Sequence, residues 1–110
     1  MKVIKIRQAL KRMEKTDQEI SYRSFVEGRS VTAGLISFRP QGQADPMQIK
    51  HRGLEVLCHV LKGRGRLRIK KRTIALEPGT VCYIPRRTPH DFAAGKKGPL
   101  VLLYALIETG

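Results

Sequence analysis

Between residues 21 and 107 the apolar residues come in short runs, and nearly every run is stopped by glycine or proline within a few positions. Runs at 21–27 and 31–38 flank Gly28-Arg29-Ser30, and a loop at 39–45 has Pro40, Gly42 and Pro46 about it. The nearly all-apolar run 54–61 stops at Lys62-Gly63-Arg64-Gly65. The run 66–71 alternates basic and apolar residues, and 73–76 leads into Glu77-Pro78-Gly79. An apolar run at 80–84 ends at Pro85, and 100–107 closes the series. Punctuation this frequent leaves no room for long helices and predicts an antiparallel sandwich or barrel. One short basic helix is expected ahead of the strands, about 7–15, with Leu10 and Met13 on one side. Runs 54–61 and 100–107 lack a polar face, so both faces are expected to be covered, one by the barrel interior and one by a subunit partner. A homodimer is the expected assembly.

A chain of 110 residues has the length of one domain, with a hydrophobic share of 41% that suits a globular core. We divide it into an N-terminal arm, 1–20, and a barrel, 21–110. The longest apolar run is too short to span a bilayer. The opening MKVIKIRQALKRMEK scatters cations among its apolar residues, unlike a secretory leader, so a cytoplasmic protein is expected. Cys58 and Cys82 sit among apolar residues and form no C-x-x-C pair, as buried structural thiols do. Twenty-two Lys and Arg against nine Asp and Glu give a net charge of +13, which puts anionic partners first.

Two segments carry a family resemblance. GTVCYIPRRTPH, with Gly79, Pro85 and His90 at their spacing, resembles the second motif of the cupin superfamily. The strand ending Val60-Leu61-Lys62-Gly63, with His51 and Glu55 upstream, resembles the first. The resemblance covers roughly 21–107 and implies an all-β fold, a small antiparallel double-stranded β-helix or jelly-roll barrel. It also implies a divalent metal at the barrel mouth (Mn, Fe, Zn, Ni or Cu), held by histidines and a glutamate. Imidazoles with a carboxylate suit such ions and leave positions open for substrate or dioxygen.

His90 matches the second-motif ligand. The first motif is incomplete and fits in two registers. Counting back from Gly63 puts the ligand positions on Ile49, His51 and Val56; counting forward from Gly42 puts them on Gln48, Lys50 and Glu55. A one-residue bulge between Glu55 and Gly63 would let His51 and Glu55 both face inward, giving a metal set of His51, Glu55 and His90. His59 shares their parity but lies mid-strand, about 13 Å from Glu55 along a straight strand, and takes a structural role. Tyr83 and Glu55 are the candidates for acid–base duty.

The densest basic run, 62–72, places Arg64, Arg66, Arg68, Lys70 and Arg72 at even positions, with Leu67 and Ile69 odd. On a strand this makes a basic face, either a solvated surface or, at 64–72, a nucleic-acid-binding ribbon that lacks stacking aromatics. Arg86 and Arg87, beside His90, are expected to bind an anionic substrate at the barrel mouth. The leading expectation is therefore a cupin binding a small, anionic molecule at a divalent-metal site, whether or not it is an oxygenase, isomerase or lyase. The alternatives are a metal-free ligand-binding or sensor barrel, and a nucleic-acid-binding protein.

Overall fold

A computed structural model describes residues 1–13, 20–40 and 54–108, with the side chains of Met13, Ile20 and Ser21 excepted. Among these residues one helix, α1 (Ile6–Met13), precedes eight strands: β1 (Ile20–Glu27), β2 (Val31–Phe38), β3 (Leu54–Lys62), β4 (Gly65–Ile69), β5 (Arg72–Leu76), β6 (Val81–Ile84), β7 (His90–Ala94) and β8 (Leu100–Glu108). They form a five-stranded sheet, β1-β2-β8-β3-β6, and a three-stranded sheet, β5-β4-β7, with every pairing antiparallel. The expected all-β jelly roll is the fold. The chain adds a strand to the sequence expectation, β7, whose apolar character starts only at Phe92 and follows a proline.

Strand alternation decides what fills the space between the sheets. Phe38, Val56, Cys58, Val60, Ile84, Leu100 and Leu102 from the larger sheet meet Leu67 and Leu76 from the smaller one in a single buried cluster. Leu35, Leu100 and Leu102 are completely buried, and each side chain so enclosed is worth roughly 1.5–3 kcal/mol of transfer free energy. A second cluster lies on the other side of the larger sheet. There Ala9, with Ile6 and Leu10 of α1, packs on Phe25, Leu35, Leu61 and Leu103. The outer face of β8 at Leu103 is thus covered by the chain's own helix, where the sequence suggests a subunit partner. Farther along the same face Leu57, Val81 and Tyr83 stay 43%, 62% and 56% exposed.

A glycine corner fixes where β3 ends. Gly63 follows the strand at φ 82°, and a Cβ there would lie 2.0 Å from the Pro99 carbonyl oxygen. Only glycine fits both the left-handed backbone and that approach. Just before it, the β3–β8 register shifts between Val60 and Lys62. The bulge expected between Glu55 and Gly63 is therefore present, at Leu61.

Candidate functional site

The register of β3 fixes the site. Val56, Cys58 and Val60 are buried, whereas Leu57 is exposed and Glu55 and His59 are half-buried. A one-residue slip would exchange these sets, exposing three core side chains and enclosing Glu55 and His59. The bulge lies beyond this stretch at Leu61, so it leaves residues 54–60 in the parity their apolar set demands. Of the two registers left open by the sequence, the one with Val56 inward forms.

Between the sheets lies a cavity of about 210 Å³, lined by Tyr22, Ile36, Phe38, Val56, Cys58, His90, Phe92, Leu102, Tyr104 and Leu106. That is about seven waters' share of volume, suited to a small ligand. His90, the first residue of β7, is 2% exposed. Its Nδ1 lies 2.8 Å from the Thr88 carbonyl oxygen. Nδ1–H therefore donates to that carbonyl, and a neutral ring so held carries its lone pair on Nε2. Phe92 packs edge-on against the imidazole at 5.7 Å, and Phe38 lies 5.6 Å beyond Phe92. Tyr104 adds a second polar group to the wall, with its hydroxyl 3.2 Å from Ser24 Oγ. On the outer side of β7, Asp91 is 5% exposed and receives Arg68 in a two-point ion pair, Nε to Oδ1 at 3.0 Å and Nη2 to Oδ2 at 2.5 Å. That pair holds β7 to β4 across the strand bearing His90.

The other candidate residues are distributed differently from the sequence expectation. Glu55 and Tyr83 do meet, the Tyr83 hydroxyl donating to the Glu55 carboxylate, but on the outer face of the larger sheet, away from the cavity. The carboxylate holds the Tyr83 phenol above its ordinary range, because losing its proton would set two negative charges together. Neither of these two candidates for acid–base duty lines the cavity. His51 lies outside the described residues. His59 stands on the outer face of β3 beside Val81 and Leu103. Arg86 and Arg87 occupy the exposed turn before His90 and do not line the cavity. Arg87 adopts φ 61°, a left-handed conformation that glycine takes at no steric cost.

The basic face is also smaller than the sequence suggests. Arg68 is engaged by Asp91, and Arg64 pairs with Glu77 at 3.1 Å. The β4–β5 corner, with Lys70 at φ 55°, puts Arg72 opposite Ile69, so Arg72 leaves the face that carries Arg66 and Arg68. The corner residues reverse the parity that a single straight strand would have kept.

A divalent ion finds a poor donor set in the described part of this cavity. One imidazole, one thiol and two phenols line it, and Glu55 is on the other face. Among the described residues no three of His, Cys, Asp and Glu lie together, and no buried side-chain nitrogen or oxygen lacks a hydrogen-bond partner. The apolar walls are the feature that site-motif reasoning passes over. Their signal is the even parity of Ile36, Phe38, Val56, Cys58, Leu102, Tyr104 and Leu106 across three strands.

The comparisons place the chain within this architecture. A family model described as "Cupin domain" matches residues 34–106. The cupin domain of Cnp3 from Schizosaccharomyces pombe is 19% identical, with a TM-score of 0.74 over 88% of this chain and 72% of that one. TT1209 from Thermus thermophilus is 22% identical, with a TM-score of 0.75 over 90% of this chain and 93% of that one. The FeII form of HppE is 17% identical, with a TM-score of 0.72 over 80% of this chain and 50% of that one. A comparison with curated protein sequences found no match. With the family's model matched over most of its strands and a jelly roll between its two sheets, the chain belongs to the cupins.

Proposed function

We propose that the protein is a ligand-binding cupin whose cavity takes a small molecule with an apolar body and one acidic or hydrogen-bonding head. His90 is the polar anchor, and Arg86 and Arg87 attract an anionic head toward the mouth. The observation that carries this reading is the cavity lining itself: apolar side chains on both walls around a single buried imidazole. Apolar walls supply affinity by excluding water, and one placed polar group supplies orientation. Recognition in this form needs no metal.

A second reading keeps a divalent ion, for one specific reason. The Thr88 carbonyl orients His90 with Nε2 as its lone-pair atom, as a metal ligand is commonly oriented from behind. His51 would then be the partner ligand, and the FeII form of HppE is a structural neighbour with iron in the same fold. Glu55 takes no part in either version. We further propose a homodimer through Leu57, Val81 and Tyr83, the exposed apolar part of the larger sheet's outer face.

The test is a panel of small aromatic and branched carboxylic acids, with their neutral isosteres, offered to chelator-treated protein. The reading expects saturable binding of at least one acid by the metal-free protein. Substituting Val56→Phe, which fills the cavity, should abolish that binding, and His90→Phe should weaken it at least tenfold. Binding that appears only after Fe(II), Mn(II) or Zn(II) is added, with stoichiometric metal lost in His90→Ala, would establish the second reading instead.

A further inference from the structure

Cys58 and Cys82 lie on strands with two others, β4 and β5, between them in sequence, yet they are direct partners across β3 and β6. Both belong to the inner side of the sheet, where Cys58 is a buried core residue lining the cavity and Cys82 packs half-exposed against the same cluster. Two rungs away, the Val60 N–H donates to the Thr80 carbonyl at 2.8 Å. Antiparallel rungs alternate, so Cys58–Cys82 is a hydrogen-bonded rung as well, with its Cα atoms about 5.5 Å apart. That spacing falls within the window a disulfide bridges, about 4.4–6.8 Å. Both thiols are free, and a side-chain hydrogen bond joins them across the rung.

We propose that Cys58 and Cys82 form a reversible dithiol–disulfide pair in the wall of the cavity, oxidised by a low-molecular-weight disulfide. The order of attack follows from exposure. Cys82, half-exposed on the last strand of its sheet, attacks one sulfur of glutathione disulfide. A bond forms between Cys82 and that sulfur, the glutathione S–S bond breaks, and the departing thiolate takes up the proton lost by Cys82. Cys58 then attacks the Cys82 sulfur, and its proton goes to the second glutathione thiolate. The two protein thiols are oxidised to one disulfide while one glutathione disulfide is reduced to two thiols. Burial holds both protein thiols above their ordinary range, Cys58 to about 12, which slows each step and leaves the equilibrium to the redox poise. The bond would tie β6, which pairs with β3 alone in its sheet, covalently to its neighbour and so fix one wall of the cavity.

The inference is independent of what the cavity binds, and wild-type protein suffices to test it. Folded protein is equilibrated with glutathione disulfide and reduced glutathione at graded ratios, quenched in acid, and read by intact mass and by alkylation under denaturing conditions. The expected product is a monomer lighter by two hydrogens with no alkylatable thiol, restored by dithiothreitol. Protein that keeps both thiols, stops as a glutathione mixed disulfide, or links two chains would overturn the proposal. Among variants, Cys58→Ser should trap one glutathionyl group on Cys82, and Cys82→Ser should stay unmodified while folded. The reverse pattern would contradict the order of attack.

Discussion

His90 and Arg87 show how much chemistry a short segment holds. The Thr88 carbonyl, the edge of Phe92 and the Arg68–Asp91 pair behind β7 all restrain the imidazole, directly or through its strand. Replacing Arg68 with Leu leaves the Asp91 carboxylate buried without its charged partner, at a cost of about 2 kcal/mol in urea unfolding. A loss below a few tenths would show that the pair is merely solvated. Arg87 offers the opposite test. Its positive φ stores about 1 kcal/mol that glycine would not, so Arg87→Gly should stabilise the protein by about that amount. If the arginine steers an anionic ligand, the same variant binds the acid more weakly, and gain in stability with loss of affinity is the expected signature. Cys58 adds a pH dependence of known sign. Its thiol ionises near 9.0 in the unfolded chain and near 12 in the fold. The folded state then holds a proton that the unfolded state has released, so stability is full below about pH 9 and falls as pH rises toward 12. Cys58→Ala should flatten that part of the profile in alkaline unfolding measurements, and an unchanged slope would reject the assignment.

At the scale of elements, β3 decides the site. Its apolar residues at even positions outweigh the carboxylate and imidazole at odd ones, so the strand presents Val56 and Cys58 to the cavity and Glu55 to the outside. The strands themselves are legible in the sequence because alternation and Gly or Pro punctuation are local signals. Parity at Glu55 is not, since counts from Gly42 and from Gly63 disagree and only the packing of both sheets selects one register. Arg72 escapes the sequence for a similar reason: the corner at Lys70 changes parity, which a count of even positions along one strand cannot register. The meeting of Cys58 with Cys82 is also hidden, because it depends on which strands are neighbours. Gly63, by contrast, marks its corner from the outset. Gly63→Ala would meet both the Pro99 carbonyl and an unfavourable φ, and thermal unfolding should register a loss of about 2 kcal/mol or more.

For the whole molecule, the charge of +13 becomes less of a nucleic-acid signature once its members are placed. Two arginines of the basic hairpin hold carboxylates and a third turns off the face, while the pair before His90 stays exposed in its turn. The apolar outer face around Leu57 and Val81 is where a second copy would bury surface. The proposed homodimer predicts that the wild type sediments as a dimer and Tyr83→Arg as a monomer with its cavity intact; a wild-type monomer would contradict it. No helix among the described residues is long and apolar enough to cross a membrane. The central claim concerns the cavity, and methyl-resolved NMR of chelator-treated protein titrated with the carboxylic-acid panel tests it most directly. The account expects the methyl signals of Val56, Leu102 and Leu106 to shift saturably with at least one acid, and expects those shifts to weaken in His90→Phe. Methyl signals that stay fixed with every acid until a divalent ion is supplied would contradict it.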